Sequence, residues 1–114
     1  MKKVEIITRP EKLETVKHVA NELGMYGMTV TTVYGCGQQK GRTEFYRGAE
    51  YNVNLLAKIK VEIVVPDEAV NSLVEAVAKS VRTGAIGDGK IFVYTIEEAV
   101  KIRTGELGEK AINS

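Results

Sequence analysis

The run AKIKVEIVVPDEAVNSLVEAVAKSV, from Ala57 to Val81, changes its apolar period halfway along. Up to Val65, the residues Ile59, Val61, Ile63 and Val65 alternate with Lys58, Lys60 and Glu62, a period of two that turns one face of a β-strand toward a core. Beyond Pro66, the residues Val70, Leu73, Val74, Val77, Ala78 and Val81 recur at spacings of three and four and line one side of a helix. Asp67 is placed to cap that helix. A strand therefore feeds directly into an amphipathic helix, with proline at the junction.

The N-terminal part of the chain repeats the device. Val4, Ile6 and Thr8 alternate as a strand that ends at Arg9-Pro10, where proline suits a first helical position. Leu13, Val16, Val19, Ala20 and Leu23 then form a helical face that Gly24 can close in the left-handed conformation. A β-branched run from Met28 to Tyr34 gives a second strand, antiparallel to the one from Ala57 to Val65. After the second helix, Thr83-Gly84 ends it, Gly87-Asp88-Gly89 makes a tight turn, and Ile91 to Ile96 forms a fourth strand. Two such units with both helices on one sheet face predict an α+β fold, a ferredoxin-like double βαβ sandwich in a single domain over residues 1–114. The two halves share little residue identity, so the repeat is one of architecture.

Between the second and third strands the stretch from Gly35 to Lys58 is too long for a turn. Hairpin connections have about 2 to 5 residues, and structureless ones beyond about 12 to 15 are usually functional or disordered. The loop, about residues 37–55, is read as an exposed, partly mobile segment selected for contact with another molecule. After the fourth strand, EEAVKIRTGE mixes a short helical signal with a basic triplet in a C-terminal segment, 101–114, whose last residues from Leu107 to Ser114 are expected to be poorly ordered.

Composition narrows the function classes. The 114 residues are 44% hydrophobic and 27% charged with a net charge of +1, which gives no general attraction to nucleic acid or anionic lipid. Cys36 is the only cysteine and His18 the only histidine, so one chain can build neither a disulfide nor a Cys/His metal cluster. MKKVEIITRPEK lacks the apolar run of a signal peptide, and no stretch approaches the roughly 18 to 20 apolar residues of a membrane span. The expected location is cytoplasmic. The strand AKIKVEIVV lacks stacking aromatics, which disfavours an RNA-binding sheet of this topology.

Candidate chemistry gathers at glycines. In Gly87-Asp88-Gly89-Lys90 successive N–H groups can converge on an anion beside a lysine, although such a turn is also ordinary strand-entry chemistry and is not a Walker loop, since Ile91 follows the lysine. Lys101 and Arg103 flank Ile102, and in an extended segment both cations project on the same side, as phosphate ligands or as a solvated edge. Gly35-Cys36-Gly37-Gln38-Gln39-Lys40-Gly41 is a second run whose backbone can approach a ligand. Cys36 is read as a small apolar residue, because no histidine partner activates it.

With these residues in view, YRGAEY from Tyr46 to Tyr51 and TGAIGDGKIFV from Thr83 to Val93 resemble the two signature segments of the PII nitrogen-regulatory signal-transduction proteins. RPEKLETVKHV, GMTVT, EIVVP and KIRTGE fit the same family pattern at the expected positions, so the resemblance spans almost the whole chain. It implies a homotrimer that binds ATP or ADP in clefts between subunits, with Mg2+ and the effector 2-oxoglutarate beside the ATP, and that signals through the long loop. By position it implies adenine and ribose contacts at Thr29 and Val64, and phosphate contacts from Gly37, Gln38, Gly87, Asp88, Gly89, Lys90, Lys101 and Arg103, with Ile102 between the last two. It further implies Gln39 on the metal and on 2-oxoglutarate, Lys58 on a 2-oxoglutarate carboxylate, and Lys40 and Gly41 completing that pocket.

The resemblance also implies partners: an ammonium transporter, through which alone the protein would meet a membrane, or nitrogen-assimilation enzymes and transcription regulators, with no direct contact to nucleic acid. Arg47 matches a residue that some members insert into the transporter pore, and Asn54 leans toward that subgroup. Tyr51 matches a tyrosine that some relatives have uridylylated or adenylylated; here it is either modified or an unmodified partner contact, while Ala49 excludes the serine phosphorylation of other relatives. Arginine is common in the family at the positions of Gln38 and Lys101, so weaker ATP binding or poorer discrimination against ADP is expected. Family members also commonly carry phenylalanine where this chain has Cys36 and proline where it has Ala57. The implied role is a non-enzymatic sensor; the alternative is a slow ATP-hydrolysing phosphoryl-transfer enzyme using the same site.

Overall fold

The computed structural model describes residues 1–36, 42–46, 49–53 and 55–113, the two short middle segments by their backbone alone. Its elements are β1 (Lys2–Thr8), α1 (Leu13–Glu22), β2 (Thr29–Gly35), β3 (Arg42–Tyr46), β4 (Ala49–Val53), β5 (Leu56–Val65), α2 (Val70–Val81), β6 (Lys90–Thr95) and α3 (Glu109–Ile112). Short 3-10 turns, Pro10–Lys12 and Asp67–Ala69, lead into α1 and α2. Four strands form one antiparallel sheet in the order β2-β5-β1-β6, the double βαβ arrangement expected from the two strand-proline-helix units.

Period-two alternation and sheet register together fix the core. Val4 lies opposite Ile63 and Val93, and Ile6 opposite Val61 and Ile91, so the apolar sides of the two central strands face the same way. Against that side pack Val16 and Ala20 of α1 and Leu73, Val77 and Val81 of α2, all buried with Val4, Ile6, Ile59, Val61, Ile63 and Val65. Gly24 ends α1 at φ 80, with Met25 N–H donating to Ala20 O at 2.9 Å and Gly24 N–H to Asn21 O at 3.0 Å, the paired bonds of a Schellman stop.

The sheet face away from the helices is polar and aromatic. Glu5 sits directly opposite Glu62, a like-charge pair that would be unfavourable alone. Lys3 Nζ lies 3.0 Å from the Glu62 carboxylate and 4.5 Å from the centre of the Tyr94 ring, while Tyr94 Oη donates to Glu5 at 3.1 Å. These contacts tie β5, β1 and β6 together on that side.

Three expectations need correction. Two strands, β3 and β4, pair with each other as a separate hairpin sheet inside the connection read as irregular loop, with Arg42 opposite Val53 and Tyr46 opposite Ala49. Asp67 does not cap α2; it opens the 3-10 turn, and its carboxylate lies 2.9 Å from the N-terminal amine, which lowers its pKa. Past β6 the chain is not a frayed tail. Val100 bridges to Leu107, glycines 105 and 108 take φ of 75 and 66, and Glu109–Ile112 forms one helical turn. Strand ends also shift by a residue, β2 beginning at Thr29 and β6 at Lys90.

Candidate functional site

The Ile86–Lys90 turn joins α2 to β6 across the end of β1. Gly87 and Gly89 take φ of 102 and 101, which side chains rarely adopt, and a Cβ on Gly89 would fall on the Ile7 carbonyl. Glycine is thus required for the turn to lie this close to β1. The Asp88 carboxylate closes it from above: Oδ2 accepts from Thr83 N–H at 2.9 Å and Gly84 N–H at 2.8 Å, and Oδ1 accepts from the Thr83 hydroxyl. These bonds, the Thr83 hydroxyl foremost, lower the Asp88 pKa to about 2.

From below, three side chains hold three consecutive carbonyls. Arg9 Nη2 donates to Ile86 O at 2.9 Å, Lys58 Nζ to Gly87 O at 2.8 Å, and Thr8 Oγ1 to Asp88 O at 2.7 Å. Lys58 was placed by alternation on the outer side of β5, yet it is 6% exposed. On β2 the register partner of Lys58 is Val33, and Gly35, two residues further along, lies close enough that a Cβ there would come within 3.4 Å of the Lys58 stem. Burial, followed by the Arg9 charge, lowers the Lys58 pKa.

Around this turn opens a cleft of about 690 Å3 lined by Ile7, Gly35, Cys36, Lys58, Gly87 to Lys90 and Phe92, among others. It brings together Lys58, Gly87, Asp88, Gly89 and Lys90. Gly37, Gln38, Gln39, Lys40, Gly41 and Arg47 lie outside the described residues, as does Asn54. Tyr51 falls on β4, opposite Glu44 in the hairpin register.

The remaining predicted residues lie elsewhere. Val64 and Lys101 line a second cleft of about 410 Å3 with Gly24 to Gly27 and Ala111 to Asn113, and no residue lines both clefts. Lys58 and Val64 are six residues apart on one strand, about 20 Å. Thr29 is exposed at the start of the edge strand β2. The segment Lys101–Thr104 is a turn and not extended chain, which overturns the reading of two cations projecting together. Gly105 N–H donates to Lys101 O at 2.7 Å, Lys101 Nζ stands 4.0 Å from Glu106, and Ile102 is 99% exposed at the tip with Arg103 beside it.

Sequence reasoning missed Thr8, Arg9 and Thr83, the residues that hold the turn. Thr83 could have been found from its position five residues before an aspartate; Thr8 and Arg9 are 80 and 77 residues from their acceptors. His18 is exposed with Nε2 3.1 Å from Glu22, away from both clefts. Among the described residues no group of three or more His, Cys, Asp or Glu side chains could hold a metal ion, and no helix is long and apolar enough to cross a membrane.

Comparison with known proteins bears out the resemblance. The family model described as nitrogen regulatory protein P-II matches residues 1–106. A nitrogen regulatory protein P-II of Rhodospirillum rubrum is 55% identical over 112 residues, covering 98% of this chain and all of the relative. One from Haemophilus influenzae is 54% identical with the same coverage, and a nitrogen regulatory protein P-II 2 from Methanothermobacter thermautotrophicus is 55% identical, covering 97% of the relative. A family match over residues 1–106, with relatives of nearly the same length above half identity, means that the chain belongs to the nitrogen regulatory protein P-II family.

Proposed function

We propose that the protein is a non-enzymatic sensor in nitrogen regulation. A homotrimer binds ATP or ADP with Mg2+, and 2-oxoglutarate, in clefts between subunits, and regulates targets through the β3–β4 hairpin. The observation that carries this reading is the glycine turn over Lys58: three anchored carbonyls, a desolvated ammonium and the exposed Lys90 make a site suited to a polyanion. Lys90 and the turn would take phosphates. Lys58 would take a 2-oxoglutarate carboxylate, and Gln39, Lys40 and Gly41 would complete that pocket. Magnesium, which favours oxygen ligands and retains phosphates and water, would need little from the protein beyond Gln39.

Val64, Thr29, Lys101, Ile102 and Arg103 would belong to the facing half of the cleft, supplied by a neighbouring copy. The targets are an ammonium transporter, which would be the only route to a membrane, or nitrogen-assimilation enzymes and transcription regulators, all met in the cytoplasm without direct nucleic-acid binding. Arg47 and Tyr51 would act at the hairpin. Against a phosphoryl-transfer role stands Asp88: among the described residues it is the carboxylate that lines the cleft, and Thr83 and Gly84 hold it near pKa 2, far too acidic for an effective general base.

Calorimetric titration tests the reading. In the presence of Mg-ATP, 2-oxoglutarate binds the wild-type protein, and Lys58→Ala weakens that binding by about tenfold or more, the scale of one lost charge-assisted contact. Absence of 2-oxoglutarate binding, or equal binding by Lys58→Ala, overturns it.

A further inference from the structure

We infer that Arg9 is a positioning residue for the anion-binding turn, a role that rests on the sensor reading only for the identity of the anion. In a trans peptide the carbonyl of one residue and the N–H of the next point in opposite directions. Fixing the carbonyls of Ile86, Gly87 and Asp88 therefore orients the N–H groups of Gly87, Asp88 and Gly89. Each carbonyl has its own donor, from Arg9, Lys58 and Thr8 respectively. None of those three N–H groups donates to an acceptor among the described residues. Among the described residues the turn is held as a set of aimed donors.

The three anchors are not equivalent. Lys58 is the residue that an effector carboxylate would engage, which would draw its ammonium from Gly87 O. Thr8 is 1% exposed and holds one carbonyl only. Arg9 reaches two parts of the turn at once: Nη2 lies on Ile86 O, and Nε, buried and with no hydrogen-bond partner among the described residues, faces Asp88 Oδ1 at 3.6 Å. Its fork thus ties the entrance of the turn to the carboxylate that caps Thr83 and Gly84. Pro10 contributes by holding the Arg9 backbone extended, at φ −66 and ψ 141, so that the guanidinium leaves the end of β1 from a fixed direction. Arg9 keeps the turn in shape while Lys58 changes partners.

The test compares wild type with Arg9→Met and Arg9→Lys by amide NMR of the nucleotide-free protein and by ADP calorimetry. In Arg9→Met the amide resonances of Gly87, Asp88 and Gly89 move or broaden while those of α1 and the core strands stay, and ADP affinity falls about tenfold. Arg9→Lys, whose ammonium can reach one of the two acceptors, recovers part of both signals; a merely structural loss would change melting temperature without this local, graded pattern. Unmoved turn resonances in Arg9→Met, or ADP affinity unchanged in a wild type that does bind ADP, overturn the inference. If the wild type binds no ADP while the three resonances respond to Arg9→Met, the sensor reading falls and the positioning role stands.

Discussion

Asp88 is one residue with two opposed demands on it: its carbonyl is held from below by Thr8, and its carboxylate reaches up to Thr83 and Gly84. Hydrogen bonds to the charged form, that of the Thr83 hydroxyl first, lower its pKa to about 2, against about 3.9 for an unperturbed aspartate. A folded-state pKa below the unfolded one makes the unfolded chain bind protons first as pH falls. The stabilisation from Asp88 is then complete above about pH 4 and is lost as pH drops through about 2. Chemical denaturation across that range is expected to show a loss of stability that is smaller in Asp88→Asn; equal acid sensitivity in the two proteins would refute the assignment. The glycines and Asp88 were legible because turn chemistry is local in sequence. Thr8 and Arg9 were not, since their partners lie on the far side of two helices and four strands and are met only once the sheet has formed.

At the level of elements, β5 and α2 were the most legible parts because each keeps one period from end to end. Of the α2 stripe that the spacing picks out, Leu73, Val77 and Val81 are buried in the core, Leu73 and Val77 fully, and Val70 and Val74 pack against it partly buried. Removing the Leu73 side chain leaves a cavity between α2 and the central strands. Leu73→Ala is expected to cost about 2–5 kcal/mol in urea unfolding without changing the m-value, and a cost below 1 kcal/mol would place that contact outside the core. The β3–β4 hairpin was hard to read for a physical reason: among the described residues it forms a two-stranded sheet of its own, and over five residues each RTEFY shows no apolar alternation and AEYNV only a short one. Its register, Tyr46 opposite Ala49, leaves two positions to connect the strands, and the sequence there is Arg47-Gly48, a glycine-containing dipeptide short enough for a hairpin. The C-terminal KIRTGE segment misled for the opposite reason. A short helical pattern too weak to nucleate gave way to glycine turns and a bridge between Val100 and Leu107.

The whole molecule extends 59 Å along its longest axis, with a radius of gyration of 17.2 Å where a compact chain of this length would have about 13 Å. Within that elongated body the two groups of family-implied ligand residues stand at opposite ends of β5, Lys58 with the glycine turn at one and Val64 with Lys101 at the other. A small molecule touching both groups needs two copies of the chain. The proposed trimer would satisfy this with one kind of contact if the turn end of each subunit met the Lys101 end of the next. The consequence is testable by complementation. On the proposed trimer, Lys90→Ala and Lys101→Ala each remove a proposed phosphate cation, one from either half, and each variant is expected to bind ATP weakly because every cleft is damaged. Co-expressed at equal levels, the two variants would on this proposal form mixed trimers in which about a quarter of the clefts pair an intact turn end with an intact Lys101 end. Calorimetry of the mixture should then show a minor class of sites at wild-type affinity, absent from either variant alone and from the two purified homotrimers combined without subunit exchange. If the mixed protein binds no better than its parents, each cleft is built by one chain, and the placement of Lys101 opposite the glycine turn of a neighbour is wrong.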